Sequence, residues 1–383
     1  MKRFLGIFLT SAAAICIASA AHASIVLSTE IGPPGGSNPI TFAELKDTAL
    51  TELNMSVMDI TSNMAIKRGN ALFYTSSSGI VKQTIGTATV SIIKKASSVS
   101  FVNYRGPQFI ISNNAATGNT GSFLYNVSTK KTVKIAPTVT SIIQGRIAPN
   151  GQWMALLGKN SKGQSRLFVS TSSIEKVKEY QLPTKATKCL SMAISPNSAT
   201  LALVCEVTQS NGSTMNTLIL RKFSANLLDK AQQYVDQNFS LYDVAWKDKS
   251  TVIGIGFGPA SQGSSVRRIG AQSITMRSQA NSPFALGLHG YTIKNGKVSK
   301  LTIYPFSTSE IVDPSMLIVP MQLYVSSKNV VDYMAVYFTT TVDGGASSLK
   351  TYLGRYNLST KLHSVLLKND KVNLFSEYSA TSS

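Results

Sequence analysis

The sequence predicts an all-β fold, a β-propeller of four-stranded antiparallel blades. Short apolar runs rich in Val, Ile, Tyr and Thr alternate with Gly, Asn and Ser at intervals of about ten residues, which is the signature of consecutive antiparallel strands. A six-residue segment, Tyr-Asn-x-Ser-Thr-Lys, occurs at 125–130 and again at 356–361. The sequence predicts six blades, with seven as the competing count and a solenoid or a sandwich as alternative architectures.

A recurring hairpin turn gives the period of the repeat. Successive copies lie 45, 47 and 51 residues apart when their last residues are aligned, and a period of this size with four strands is typical of a propeller blade. The copies are Arg105-Gly106, Pro149-Asn150-Gly151, Pro196-Asn197-Ser198 and Lys247-Asp248-Lys249. The strand groups around them span 99–135, 142–182, 189–234, 241–303 and 321–367.

The N-terminus predicts export. Met1-Lys2-Arg3 precedes an apolar run from Phe4 to Ala18, and Ala21-His22-Ala23 follows before Ser24, which is the order of a secretory signal. A membrane anchor, the alternative, needs roughly 20 apolar residues. We therefore expect a signal peptide at 1–23 and a periplasmic or secreted protein without a transmembrane anchor.

Residues 24–54 predict a lead-in segment with a short helix. The stretch Pro33–Pro39 is rich in residues that break regular structure, and Thr41-Phe42-Ala43-Glu44 fits a capping box. Phe42, Leu45, Ala49 and Leu53 would then share one face of the helix that follows. The propeller domain is expected at 55–383.

The two termini are expected to build the first blade together. Ala71–Thr75 and Ile80–Ile85 resemble third and fourth strands, and either Ser56–Ile60 or Asn63–Ile66 would supply the second. Lys371–Tyr378 would fill the missing inner place, which closes the ring and removes open sheet edges.

The hairpins resemble those of a known group of propellers. Pro149-Asn150-Gly151-Gln152-Trp153 and Ser195-Pro196-Asn197, each between two apolar strands, are similar to the hairpins of TolB-type and other WD-like bacterial propellers. The resemblance covers about 54–378, and its motifs are structural. The α/β domain that precedes the TolB propeller is lacking, so a role in envelope assembly does not transfer. The resemblance implies a ring-shaped scaffold, usually for binding.

The chain is strongly basic. Its formal net charge is +19, and removal of 1–23 leaves 35 basic and 18 acidic residues, a charge of +17. Such a balance favours anionic surroundings, although a well-solvated basic surface is the alternative. Between Asp59 and Glu175 there are thirteen Lys and Arg and no carboxylate side chain, so this stretch offers none for metal binding or acid–base chemistry.

Two cysteines predict a disulfide. Cys189 and Cys205 are equally distant from Asn197, so a hairpin centred there places them directly opposite each other. Export to an oxidising compartment favours the bond. A register shift of one residue would instead leave two thiols on opposite faces.

No motif assigns a catalytic residue, a metal site or a cofactor. His289 and His363 are the only histidines after residue 23, and no phosphate loop, nucleophile elbow or zinc-binding helix motif occurs. Asp243, Glu310 and Asp313 are expected near one end of the ring, where paired carboxylates could serve a glycosidase or several oxygens could bind calcium. Solvated loop acids are the alternative.

Long connections are expected at one end of the ring. The second-to-third strand loops and the connections between blades emerge there, and Gly258–Pro283 is the longest of them. It contains Arg267, Arg268 and Arg277 and no acidic residue. Because arginine donates paired hydrogen bonds to carboxylate and phosphate, we expect this end to receive an anionic or protein partner. A disordered basic insertion is the alternative.

Three functions follow from these patterns. The leading hypothesis is an exported, non-enzymatic propeller that recognises an envelope or extracellular partner through its long loops. The second is a propeller hydrolase or lyase acting on glycans or lactones through Asp243, Glu310 or Asp313. Nucleic-acid binding follows from charge alone and lacks clustered basic and aromatic residues on one strand face.

Overall fold

The computed structural model describes residues 25–374 with gaps, and every regular element in the described part is a β-strand. The gaps are 32–39, 47–48, 54–59, 61–64, 96–98, 106–107, 114–121, 136–138, 172–176, 184–185, 209–211, 213, 225–226, 230–231, 235–239, 260–264, 270–271, 277–283, 295–296, 306–315, 340–347 and 370–371. The predicted signal peptide, 1–23, lies outside the described residues. Within them no helix has the length and apolarity to cross a bilayer.

The described strands form seven four-stranded antiparallel sheets and one two-stranded sheet. We number the seven as blades along the chain. Blade 1 contains β1 (Ile25–Ile31), β2 (Ile40–Lys46), β3 (Ala49–Glu52) and the C-terminal β30 (Val372–Leu374); blade 2 contains β4 (Ile66–Arg68), β5 (Ala71–Ser76), β6 (Gly79–Thr84) and β7 (Val90–Lys95). Blade 3 contains β8 (Val99–Arg105), β9 (Gln108–Asn113), β10 (Ser122–Asn126) and β11 (Lys131–Ile135); blade 4 contains β12 (Val139–Ile147), β13 (Trp153–Asn160), β14 (Ser165–Thr171) and β15 (Val177–Gln181).

The remaining blades follow the same order. Blade 5 contains β16 (Ala186–Ile194), β17 (Thr200–Thr208), β18 (Thr214–Lys222) and β19 (Gln232–Tyr234). Blade 6 contains β20 (Ser240–Asp248), β21 (Thr251–Pro259), β24 (Phe284–Lys294) and β25 (Lys297–Pro305), and the separate hairpin of β22 (Ser265–Ile269) and β23 (Gln272–Met276) is inserted between β21 and β24. Blade 7 contains β26 (Met316–Ser327), β27 (Val330–Thr339), β28 (Ser348–Asn357) and β29 (His363–Asn369).

Each blade packs on the next, and the ring is closed. The inner strands β8, β12, β16, β20 and β26 contact one another in that order, and β28 of blade 7 contacts β30 of blade 1. The apolar core lies between facing sheets: Ile110 and Leu124 of blade 3, for example, pack with Met154, Leu156 and Phe168 of blade 4. The predicted β-propeller of four-stranded blades is therefore confirmed.

The C-terminal strand closes the ring, as predicted, but on a different partner. In β30, Val372 pairs with Ile31 and Leu374 with Thr29, both in β1. The prediction had assigned the closing strand to the sheet of Ala71–Thr75, yet β4 and β7 complete that sheet on their own. The count is therefore seven blades, the competing number, because residues 25–52 supply three strands that the sequence analysis had placed in a lead-in segment.

The short helix predicted from Thr41 is wrong, because this segment is the strand β2. Thr41, Phe42 and Ala43 are all buried, as expected for a strand covered on both faces. Such a strand matches helical apolar spacing by accident. Glu44, the presumed capping residue, instead accepts hydrogen bonds from Lys67 Nζ of blade 2 at 2.6 and 2.5 Å.

The repeated Tyr-Asn-x-Ser-Thr-Lys segments form the same turn between third and fourth strands, as predicted. Asn126 Oδ1 accepts hydrogen bonds from the backbone N–H groups of Ser128 and Thr129 at 3.0 and 3.1 Å. Asn357 Oδ1 accepts the corresponding bonds at 3.0 and 3.1 Å. Both turns end on a lysine in the left-handed region, with φ of 56° and 58°. The repeat therefore records a local geometry as well as a period.

The predicted disulfide is confirmed. Cys189 of β16 lies directly opposite Cys205 of β17, and the two are bonded. Asn197 lies at the centre of the hairpin that the bond encloses.

Candidate functional site

Five inner strands break register at the same place. A β-bulge interrupts the pairing of β8, β12, β16, β20 and β26 with the second strand of the same blade. The extra residue is apolar or aromatic in each case, and the residue after it is polar. The pairs are Val102-Asn103, Ile143-Gln144, Leu190-Ser191, Tyr242-Asp243 and Met321-Gln322. A bulge re-aims side chains, so this one sets a belt of polar residues along the inner strands, which we call the polar belt.

Asp243 is the most heavily bonded member of the polar belt. Its Oδ1 accepts hydrogen bonds from the Ser191 hydroxyl of blade 5 and from the Val244 N–H at 2.9 Å. Its Oδ2 accepts one from the Leu323 N–H of blade 7 at 2.7 Å. The carboxylate thus joins three consecutive blades. Trp246 supports the same junction, since its Nε1 donates to the Ala193 carbonyl at 3.1 Å.

The surroundings of Asp243 oppose its ionisation. Burial raises the pKa of the Asp243 carboxyl, and this effect outweighs the hydrogen bonds from Ser191 and Leu323 and the nearby charge of Arg146, which act in the opposite direction. Burial also raises the pKa of the neighbouring Tyr242. Because both Asp243 oxygens are occupied by protein donors, the group is suited to holding the ring together.

The other members of the polar belt leave some bonding capacity. Gln322 Oε1 accepts a hydrogen bond from the Tyr324 hydroxyl. Gln144 Oε1 is buried without a hydrogen-bond partner. Next to these amides, Ile143 is 59% exposed and Leu190 is 37% exposed. The described part of the inner surface therefore mixes amide groups with exposed aliphatic side chains.

The structure places few of the predicted site residues where they can be compared. Asp243 lies on the inner strand of blade 6, as expected, but Glu310 and Asp313 lie outside the described residues. Arg267 and Arg268 lie on β22 of the inserted hairpin, opposite Ile274 and Ser273 of β23. Arg277 lies outside the described residues. The grouping of the carboxylates and the role of the arginines stay predictions.

Histidines, acids and cysteines do not assemble into a metal centre in the described part of the chain, where no group of three or more could hold an ion. His289 is buried and lies 3.4 Å, through Nδ1, from the Tyr291 hydroxyl. His363 Nε2 lies 2.7 Å from the Tyr333 hydroxyl. Both histidines therefore have neighbours inside a blade.

A polar cleft of about 360 Å³ lies on blade 4, at the hairpin between β13 and β14. Asn160 Nδ2 donates to Glu179 Oε1 at 2.9 Å, and Arg166 Nε donates to the same oxygen at 3.1 Å. Arg166 also donates to Gln164 Oε1 at 2.6 Å. Because these polar groups satisfy one another, we assign the cleft no ligand.

The two ends of the ring differ in their connections. We call the loop end the end that carries the second-to-third strand loops and the connections between blades, and the turn end the end that carries the other turns. At the loop end the insertion between β21 and β24 has 24 residues, 260–283. At the turn end the first-to-second strand turns have two to five residues, for example 69–70, 195–199 and 249–250.

The two ends also differ in charge. Counted with the strand residue on each side, the connections of the turn end contain thirteen Lys and Arg against four Asp and Glu, a net +9, whereas those of the loop end contain seven of each, a net of 0. Sequence analysis missed this division, since it attributed the anionic partner to the loop end. The strand order was needed to sort the connections.

The bulged positions were also missed, although the sequence holds a usable signal. Each copy reads as two apolar or large residues followed by a polar one, at spacings of 41, 47, 52 and 79 residues between Asn103, Gln144, Ser191, Asp243 and Gln322. Aligning the repeats on this triplet finds the polar belt.

Neither a family model nor a curated protein sequence matches the chain. Among solved structures, the tricorn protease matches with a TM-score of 0.56 and 12% identity, over 86% of this chain and 34% of that one. A hypothetical selenium-binding protein from Sulfolobus tokodaii matches with a TM-score of 0.56 and 10% identity, over 95% of each chain. The chain thus spans about a third of the tricorn protease.

The matches also include TolB from Acinetobacter baumannii, at a TM-score of 0.41 and 14% identity, over 74% of this chain and 64% of that one. The predicted resemblance therefore holds at the level of the fold. Identities this low show a shared fold and no shared activity. The fold assignment rests on the first two structures.

Proposed function

We propose that the chain is an exported, non-enzymatic β-propeller that binds a protein partner through its loop end. The observation that carries the proposal is the segregation of long connections to one end of a ring whose opposite end has short turns. Loops that vary in length on a rigid scaffold are a common way to build a recognition surface. The signal sequence at 1–23 supports export, and with it a periplasmic or extracellular site of action.

The insertion at 260–283 is the part of the loop end that we assign to recognition. It extends blade 6 as a hairpin, and Arg267 and Arg268 are adjacent on one of its strands. Adjacent residues on a strand point to opposite faces, so the hairpin offers a basic side chain on each face. Arginine forks would bind carboxylates of the partner through paired hydrogen bonds.

The enzymatic alternative lacks support from Asp243. A general acid or nucleophile needs an oxygen that faces a substrate, whereas both oxygens of Asp243 accept hydrogen bonds from the protein itself. We therefore advance binding as the function.

The test is a charge reversal with a matched control. We expect the variant Arg267→Glu, Arg268→Glu, Arg277→Glu to retain at least tenfold less partner than the wild type from an extract of the envelope or the culture medium. The control Lys82→Glu, Lys134→Glu, Lys300→Glu has the same charge change at exposed strand positions and should keep the partner. An unchanged partner profile in the arginine variant would contradict the proposal.

A further inference from the structure

We propose that the turn end is a docking face for an anionic lipid surface. Seven of its lysines are exposed, and none forms an ion pair with a described residue. They lie in turns or at the adjoining strand ends of blades 3, 5, 6 and 7. The seven are Lys130, Lys131, Lys222, Lys249, Lys294, Lys328 and Lys361.

Acidic groups at this end do little to offset the lysines. In its described part we find Asp229, which is exposed, and Asp248, which is partly buried. Asp248 Oδ1 accepts hydrogen bonds from the Ser250 N–H and hydroxyl, both at 2.8 Å, so this carboxylate is committed to its own turn. The turn end therefore presents a clear positive excess.

The shape of the turn end suits a flat partner. Two-residue turns at 69–70, 249–250 and 328–329 keep this end low, and no long connection rises between the lysines of blades 6 and 7. Charges spread over four blades reach a planar surface together, whereas a linear polymer would meet only some of them. Lysines close to an anionic membrane surface are each attracted by about 1 kcal/mol.

The side-chain types favour lipid over nucleic acid. All seven exposed groups are lysines, which act as hydrated point charges, whereas phosphate clamps and base stacking rely on arginine and on free aromatic faces. Trp153 and Phe223 lie at this end, but they stack on each other with ring centroids 5.4 Å apart.

An exposed apolar tip provides a second, independent observation. Leu362 is 69% exposed and follows Lys361 in the turn between β28 and β29. Its carbonyl accepts a hydrogen bond from the Asn357 N–H at 2.9 Å, which fixes the turn. A leucine beside a lysine at a turn tip can enter the boundary between headgroups and acyl chains while the charge stays among the headgroups.

This inference is independent of the proposed function. It concerns the end opposite to the loops, and docking there would leave the loop end facing away from the membrane. Loss of one activity therefore does not entail loss of the other.

Co-sedimentation with vesicles tests the inference. The full chain is mixed with phosphatidylcholine vesicles with or without phosphatidylglycerol, and the neutral vesicles measure the contribution of the apolar run Phe4–Ala18. The wild type should bind the anionic vesicles, and added salt should weaken binding. In the variant Lys130→Glu, Lys249→Glu, Lys328→Glu, Lys361→Glu, we expect binding at least about 100-fold weaker.

A control with the same net charge separates the turn end from charge in general. The variant Lys82→Glu, Lys134→Glu, Lys159→Glu, Lys300→Glu changes exposed lysines along the strands and should lose less than about a third of the effect in logarithmic terms. If both variants lose binding equally, or if the wild type ignores anionic vesicles, the proposal is overturned. Tighter binding to a double-stranded oligonucleotide at the same salt would overturn the lipid assignment. Should the glutamate variant fail to fold, the corresponding glutamine variant gives the same comparison.

Leu362→Ser distinguishes lipid insertion from attraction to any polyanion. We expect about fivefold weaker binding to anionic vesicles and unchanged binding to heparin, since a soluble polyanion has no apolar interior. Equal losses on both ligands, or no loss on either, would contradict the role of this leucine.

Discussion

The turn end and the loop end of the ring are made by the same strands but follow different rules. At the turn end, side chains cap their own turns, as Asn126, Asn357 and Asp248 show. The connections of the loop end vary from the two residues 77–78 to the 24 residues 260–283. The difference teaches that one end of each blade can specify the repeat while the other end is free to diverge. Changes near the turn end or the polar belt should therefore affect stability more than changes at the loop end.

The largest effect is expected from the disulfide, which encloses the turn 195–199. The double variant Cys189→Ala, Cys205→Ala should lose about 3 kcal/mol of unfolding free energy, because a closed loop of about 15 residues restricts the unfolded chain. Urea unfolding measures this loss, and reduced wild type serves as the control. A loss below about 1 kcal/mol would show that the hairpin is specified without the bond.

The next effect is expected at Asp243, where the polar belt joins blades 5, 6 and 7. Asp243→Ala leaves the N–H groups of Val244 and Leu323 without their acceptor. The expected loss is about 2 kcal/mol, the cost of buried unsatisfied donors. Ser191→Ala removes one donor and leaves the carboxylate in place, so it should lose less. An equal loss in both variants would contradict the bridging role.

Asp243 should also make stability depend on pH. Its pKa is raised in the folded protein by burial, so its contribution is fully present below the ordinary value of 3.8 and is lost as pH rises through the folded-state pKa. Asp243→Asn carries no charge at any pH. The unfolding free energy of the wild type minus that of Asp243→Asn should therefore fall as pH rises. A difference that grows with pH would mean that the hydrogen bonds to the carboxylate outweigh its burial.

A smaller effect is expected at the repeated turns. Asn357→Ala and Asn126→Ala each remove a side-chain cap from two backbone N–H groups, which should reduce the unfolding free energy by about 1 kcal/mol. Asn281→Ala, in the insertion of the loop end, should change it by less than about 0.5 kcal/mol. Thermal unfolding of the three variants makes the comparison, and equal losses at both ends would contradict it.

Sequence patterns predicted the features that depend on local geometry. The disulfide followed from the equal distances of Cys189 and Cys205 to Asn197, and the two Tyr-Asn-x-Ser-Thr-Lys turns followed from their repetition. Blade 1 was missed because Thr41 and Glu44 fit a capping box, while the actual partner of Glu44, Lys67, is 23 residues away. A local pattern cannot show a partner in another sheet.

The role of Asp243 shows the same limit. Its position on an inner strand was predicted, but its donors Ser191 and Leu323 are 52 and 80 residues away in the chain. The closing of seven blades brings these groups together, and no spacing rule within one repeat contains that information. The charge difference between the ends was hidden for the same reason, because it depends on which connections share an end.

The variant that lacks the insertion tests the central comparison most directly. Pro259 and Phe284 are paired in register, so a two-residue Asn-Gly turn can replace 260–283 without changing blade 6. Its unfolding free energy and its capture of the partner are measured on the same preparation. We predict a stability within about 1 kcal/mol of the wild type and loss of the partner, since loop length alone costs little. A loss above about 3 kcal/mol, or full retention of the partner, would contradict the division between a turn end that specifies the fold and a loop end that recognises.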